Sequence, residues 1–238
     1  MVQHVWERAR QARAVDRVLV ATDDERIAEA VRAFGGEVAM TSRAHATGTD
    51  RLAEAALATD AEIVVNVQGD EPMLDTAFID GVVAPLQADP ALPMSTVSLP
   101  LTDVDEMLSS AVVKVVTDAG GDALYFSRSP IPFVRDAADL LSDLQRGEWL
   151  RASAAQAVAR GLARKHLGLY AYRREALARF ASLPASPLEQ SEALEQLRAL
   201  HHGMRIRVVA MQGRSGVAVD TPQDLERVRA IMSEGGRR

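Results

Sequence analysis

Four segments of this sequence set carboxylate, hydroxyl or guanidinium groups beside a glycine or proline turn. The sharpest is Asn66-Val67-Gln68-Gly69-Asp70-Glu71-Pro72, which ends an apolar run at 62–68. Ligands of open α/β sheets bind outside the carboxyl ends of strands. Asp70 sits there, just past a glycine, where a carboxylate can hold Mg²⁺ beside phosphate oxygens. The same residues also make an ordinary strand-to-helix turn. A second carboxylate, Asp220, precedes Thr221-Pro222 at a helix start. It suits either a metal or an N-cap with proline in the first turn. The loop 41–52, with Thr47, Gly48 and Thr49, can approach a base or ribose closely, or can be a polar loop that caps the next helix through Thr49. Finally, Arg128 in 126–132 and His166 in 166–173 can clamp a substrate carboxylate. Their plainer roles are a surface ion pair and a half-buried strand histidine.

These groups need a scaffold, and the apolar pattern supplies one. Strands are expected at 17–22, 37–40, 62–68, 93–99, 111–117, 123–128, 165–173 and 205–211. Helices are expected at 3–14, 23–36, 49–59, 75–88, 103–109, 136–162, 187–203 and 220–232. The alternation predicts an α/β fold, a mostly parallel sheet with helices on both faces. A single domain over 1–238 is the simplest organisation. The stretch 93–173 loses the βα rhythm and can form a separate flap or dimer surface.

Composition narrows the function. With 33 acidic against 27 basic residues, the net charge is -6, which argues against a general nucleic-acid binder. No cysteine is present, so disulfides and thiolate metal sites are excluded and a reducing cytoplasm is expected. No apolar run is long enough to span a membrane.

Taken in order, NVQGDEPM, AVVKVV, ALYFSRSPIP, KHLGLYAYR, SPLEQSEALEQLR and GVAVDTPQDLERVR make the chain resemble the 3-deoxy-manno-octulosonate (Kdo) cytidylyltransferases, from Met1 to about Arg229. The loop 41–51 fits more loosely, with Ala44 where an Asp is usual and Thr47 where a Ser is usual. The resemblance implies a Rossmann-like nucleotide-diphospho-sugar transferase fold. It implies transfer of CMP from CTP to Kdo with release of pyrophosphate, for lipopolysaccharide synthesis. It implies that Asp70 and Asp220 are catalytic and hold Mg²⁺, that a second Mg²⁺ rides on the leaving phosphates, and that Gln68, Arg128, His166, Tyr170, Glu195 and Gln196 surround Kdo. Thr47, Gly48 and Thr49 then lie on the nucleotide side, and the protein is a cytoplasmic homodimer.

Members of this family begin with a strand and a basic, glycine- and proline-containing loop that grips the triphosphate. Met1 aligns with the helix after that loop. The resemblance therefore implies one of two things. Either the true start lies upstream, which is the expectation, or this is a shortened form that is unstable or inactive; the 238 residues by themselves are expected to make no CMP-Kdo. The absent strand belongs between 17–22 and 62–68. The alternatives to Kdo transfer are a related sugar nucleotidyltransferase, such as a sialic acid cytidylyltransferase, and a non-catalytic dimerising remnant.

Overall fold

The computed structural model describes residues 1–45, 47–136, 146–213, 216–219 and 221–235. Backbone proximity divides the chain into two compact units. The first comprises Met1–Ala88, Leu169–Ala181 and Arg214–Arg238; the second comprises Asp89–Gly168 and Ser182–Gly213.

In the first unit, α1 (Val2–Ala9) precedes β1 (Leu19–Thr22), α2 (Glu25–Ala33) and β2 (Glu37–Met40). Asp24 caps α2 by accepting from the Arg26 N–H at 2.8 Å, and Gly35 follows the helix at φ 80°, which L side chains rarely adopt. β1 and β2 run parallel, Leu19 opposite Glu37. Then come α3 (Gly48–Leu57), β3 (Ile63–Asn66) and α4 (Thr76–Ala88). Phe78, Ile79, Val82, Val83 and Leu86 of α4 are buried and form much of this unit's aliphatic core.

Among the described residues, β1 is paired only with β2 and β3 only with β7, while α3 packs on both β1 and β3. No ladder joins β1 to β3, the place where a further strand is expected. All of β3, and Leu19–Ala21 of β1, are only half-buried, as befits strands with an open edge.

The second unit contains β4 (Met94–Pro100), α5 (Val104–Leu108), β5 (Lys114–Thr117), β6 (Ala123–Ser127), α6 (Arg146–Ala159) and the first half of β7 (Arg164–Arg173). The last half of β7, then α7 (Arg174–Ser182), belongs to the first unit. The second unit resumes with α8 (Pro187–Glu192), α9 (Gln196–His201) and β8 (Ile206–Ala210), and α10 (Pro222–Gly235) closes the first. Its strand order is β6-β5-β7-β4-β8. β4 and β8 are parallel, whereas β5 is antiparallel to both β6 and β7. β3 also pairs antiparallel with β7. The α/β architecture thus holds, with parallel pairs β1–β2 and β4–β8. Antiparallel pairing enters through 93–173, where the sequence loses its βα rhythm.

Two helices differ from expectation. The predicted helix 187–203 is two helices, separated by Ala193 in the left-handed region at φ 50°. α7 was not anticipated, although its buried Ala176, Leu177 and Phe180 have helical spacing. Of the predicted helix 136–162, positions 137–145 lie outside the described residues. Among the described residues no helix is long and apolar enough to cross a membrane.

Lys114 is fully buried in the second unit. Its ammonium donates to the carbonyls of Ser109 (2.8 Å), Val112 (2.7 Å) and Arg128 (2.5 Å). Burial pushes its pKa down to about 8. Lys114→Met, which leaves these acceptors without their donor, is expected to cost about 2–4 kcal/mol, read by urea unfolding at pH 7.

Candidate functional site

In the first unit the chain after β3 meets a segment that arrives from far along the sequence. The Val219 N–H donates to the Asp70 carbonyl at 2.9 Å. Three residues earlier, Gly216 lies so close to Met73 that an added Cβ would stand 3.1 Å from its backbone carbon and oxygen. The two segments therefore run side by side in opposite directions, Gly216 near Met73 and Val219 near Asp70. Position 220, the next residue, lies outside the described residues. The cap that the sequence offered to Asp220 therefore lies outside the described residues too, while the residues that follow it make a cap of their own. Thr221 Oγ1 accepts from the Asp224 N–H at 3.2 Å, and Asp224 Oδ2 accepts from the Thr221 N–H at 3.0 Å. This reciprocal cap opens α10, with Pro222 in its first turn.

Asp70 is half-buried, and Gln68 beside it is exposed. The side chains of Asp70 and Glu71 have no hydrogen-bond or ion-pair partner among the described residues. Burial first, and the Asp70 charge second, push the Glu71 carboxyl above its usual range. Adjacent carboxylates without a cation are donors that suit a hard divalent ion. Among the described residues, no group of three or more His, Asp or Glu side chains forms a ready metal cluster. Tyr170 stands opposite Asn66 in the β3–β7 register, at the same end of β3 from which Gln68 and Asp70 emerge. Its ring stacks on Tyr172 at 5.8 Å.

The loop 41–47 joins β2 to α3. Thr47, not Thr49, caps α3: Thr47 Oγ1 accepts from the Asp50 N–H at 3.1 Å. Thr49 is only 4% exposed within the first turn. Gly48 is exposed, and a Cβ there would meet nothing within 4 Å. Of the three residues expected on the nucleotide side, Thr47 is half-buried, Gly48 exposed and Thr49 buried.

In the second unit, Arg128 is built into a helix end. Its Nε donates to the Glu192 carbonyl at 2.8 Å, Nη2 to the Ala193 carbonyl at 3.4 Å and Nη1 to the Ser110 carbonyl at 3.0 Å. The guanidinium so satisfies carbonyls where α8 breaks, and its charge suits a helix C-terminus. The Glu192 carboxylate accepts from Ser127 Oγ (2.6 Å) and from the Arg128 N–H (2.9 Å). Burial pushes this carboxyl up, but those hydrogen bonds outweigh it and hold it below its usual range. Glu192 was missed in the sequence. The clue was an acid in the helix that follows the Ser186-Pro187 cap.

His166 Nε2 lies 3.0 Å from Thr96 Oγ1, and its ring meets Phe126 edge-on at 5.0 Å. Burial pushes its pKa down to about 3, so it is neutral at pH 7. Without an anion beside it, it would enter such a clamp as a neutral hydrogen-bonding group. Gln196 is buried at 7%. Glu195 is half-buried, with Arg198 at 3.7 Å.

Comparison with known proteins fits this geometry. The sequence model of a family described as "Cytidylyltransferase" matches residues 1–206. A 3-deoxy-manno-octulosonate cytidylyltransferase of Geobacter sulfurreducens is 55% identical over 96% of this chain and 87% of its own length. One of Geotalea daltonii is 50% identical over 99% of this chain and 89% of its own length. The chain belongs to the 3-deoxy-manno-octulosonate cytidylyltransferase family. A solved CMP:2-keto-3-deoxy-manno-octonic acid synthetase complexed with CTP matches this cytidylyltransferase with a TM-score of 0.84 at 41% identity, covering 98% of this chain and 88% of that one. A 4-diphosphocytidyl-2C-methyl-D-erythritol synthase of Anaerococcus prevotii shares the fold alone, with a TM-score of 0.56 at 14% identity over 98% and 89% of the two chains.

Two expectations follow for the cytidylyltransferase. Gly216→Ala forces apart the segments that carry Asp70 and Val219; it should cost about 1–3 kcal/mol in urea unfolding and lower turnover. His166 has a folded-state pKa below its unfolded value of 6.5, so between about pH 6.5 and 3 the unfolded chain binds the extra proton. Stability is therefore complete above pH 6.5 and is lost as pH falls through that window. His166→Gln should flatten this slope in urea midpoints measured from pH 7 to 4.

Proposed function

We propose that this chain transfers CMP from CTP to Kdo, giving CMP-Kdo and pyrophosphate. One observation carries the reading: the Val219–Asp70 contact brings the backbone beside position 220 against the loop that bears the other carboxylate. Asp70 and Asp220 are the proposed metal-holding pair. Mg²⁺ bound by them would supply positive charge against the α-phosphate and the attacking hydroxyl.

In the proposed reaction the anomeric hydroxyl oxygen of Kdo bonds to the α-phosphorus. The bond from that phosphorus to the bridging oxygen breaks, pyrophosphate leaves, and the hydroxyl proton is lost. The protein's part is to place the reactants and to balance charge, as in phosphoryl transfer generally. Gly48, with open space at its Cα, is the proposed point of closest approach to the nucleotide, beside Thr47 and the buried Thr49. Gln68 and Tyr170 of the first unit are proposed to meet Kdo. From the second unit Arg128, His166, Glu195 and Gln196 keep that role by family likeness, His166 as a neutral partner and Arg128 through the N–H groups its carbonyl contacts leave over. A homodimer working in the cytoplasm, where CTP is available, completes the proposal.

Asp70→Asn and Asp220→Asn, each in the full encoded chain, should lower CMP-Kdo turnover by about 100-fold or more with an unchanged circular dichroism spectrum. Near-normal product formation by either variant would end the two-carboxylate metal reading. Kdo and sialic acid assayed with CTP, UTP and dTTP, with pyrophosphate release as readout, check the substrates: Kdo with CTP is expected to be fastest.

A further inference from the structure

The loop between β2 and α3 is fixed at both ends by its own secondary structure. Thr41 N–H extends the β1–β2 ladder to the Thr22 carbonyl at 2.9 Å, and Thr47 is held by its cap. Arg51 of α3 supports the first anchor, reaching Thr41 Oγ1 at 2.5 Å and Asp23 Oδ1 at 3.3 Å. Between the anchors, the Ala44 N–H bonds locally to Ser42 Oγ, and Arg43 Nε reaches the Asp23 carbonyl only at 3.5 Å. Two stronger ties converge on one oxygen. Glu54 Oε2 accepts from the Ser42 N–H at 3.0 Å and is hydrogen-bonded to His45 Nε2. Glu54 lies in the second turn of α3, the helix that the loop itself introduces. Its carboxylate therefore folds the loop back on the flank of that helix. The Ser42 N–H first, and His45 second, hold the Glu54 carboxyl below its usual range.

We propose that Glu54 is a positioning residue for the nucleotide, clipping the loop through Ser42 and His45 so that Gly48 is presented to CTP. The proposal rests on the reading that this loop borders the nucleotide. Glu54 touches neither CTP nor the reacting atoms; it acts through the loop. Its side chain is about two-fifths exposed, so its removal leaves the core intact.

The test compares the full encoded chain with Glu54→Ala, Glu54→Gln and Gly48→Ala. Glu54→Ala should raise the KM for CTP about tenfold, with kcat and the KM for Kdo unchanged. Glu54→Gln, which keeps an oxygen acceptor for the Ser42 N–H, should restore most of the affinity. Hydrogen exchange at the Ser42 amide, read without ligand, should accelerate at least tenfold in Glu54→Ala alone. Gly48→Ala tests the underlying reading: its Cβ enters open space, so it should weaken CTP without loosening the Ser42 amide. Weaker CTP in Gly48→Ala with a normal KM in Glu54→Ala overturns the proposal and leaves the reading standing. Normal CTP affinity in both variants overturns the two together. A fall in kcat and a rise in both KM values in Glu54→Ala, without rescue by Gln, shows a general structural role and also overturns the proposal.

Discussion

The antiparallel approach of 216–219 to 70–73 is the constraint on which the rest of the site depends. A single N–H to carbonyl bond contributes only about 1 kcal/mol net. Its register therefore has to be set by what lies around it. Gly216 permits the approach because any side chain would strike Met73. On one side, β3 is braced by its pairing with β7 and delivers Asp70. On the other, α10 starts at once, anchored by its Thr221–Asp224 cap and by buried Val228. Two local breaks, the Gly-Asp turn that follows β3 and the Thr-Pro start of α10, are thus held against each other.

The charges explain why such a rim suits a metal. The loop after β3 presents neighbouring carboxylates with no cationic side chain against them among the described residues. The arginines discussed above are committed elsewhere: Arg128 to backbone carbonyls, Arg51 to Thr41 and Asp23. Arg198 likewise grips Glu189, and Arg207 grips Asp122 at 2.6 Å. A triphosphate that approaches this loop meets like charge unless a divalent ion comes with it.

Burial and backbone carbonyls set the surroundings of the most basic groups of the second unit. His166 carries a group that titrates near neutrality in water, yet Thr96, Phe126 and the surrounding strands keep it neutral. Arg128 remains charged, but its charge completes the end of α8. Lys114 is wholly enclosed and turned to three carbonyls. In the second unit, then, much of the basic chemistry visible in the sequence is spent on closing irregular backbone at 109–112, 128 and 192–193. Those are places where strands and helices break off and leave carbonyls to be satisfied.

The sequence by itself determined the α/β alternation, most strands to within a residue or two, and the Asp70 loop. These follow from local rules: apolar period, glycine and proline breaks, and a carboxylate just past a strand. Its order of motifs also marked the family. Only the tertiary structure decided which of two nearby hydroxyls caps α3, Thr47 in place of Thr49, and that Thr221 and Asp224 cap α10 reciprocally. A cap depends on backbone angles that neighbouring elements impose. Only it showed that 187–203 breaks at Ala193, because the Arg128 that satisfies the break comes from a distant strand. Gly216 and Glu54 were likewise silent in the sequence. A glycine's close approach and a carboxylate's two partners are facts about what lies across space, and no spacing along the chain encodes them.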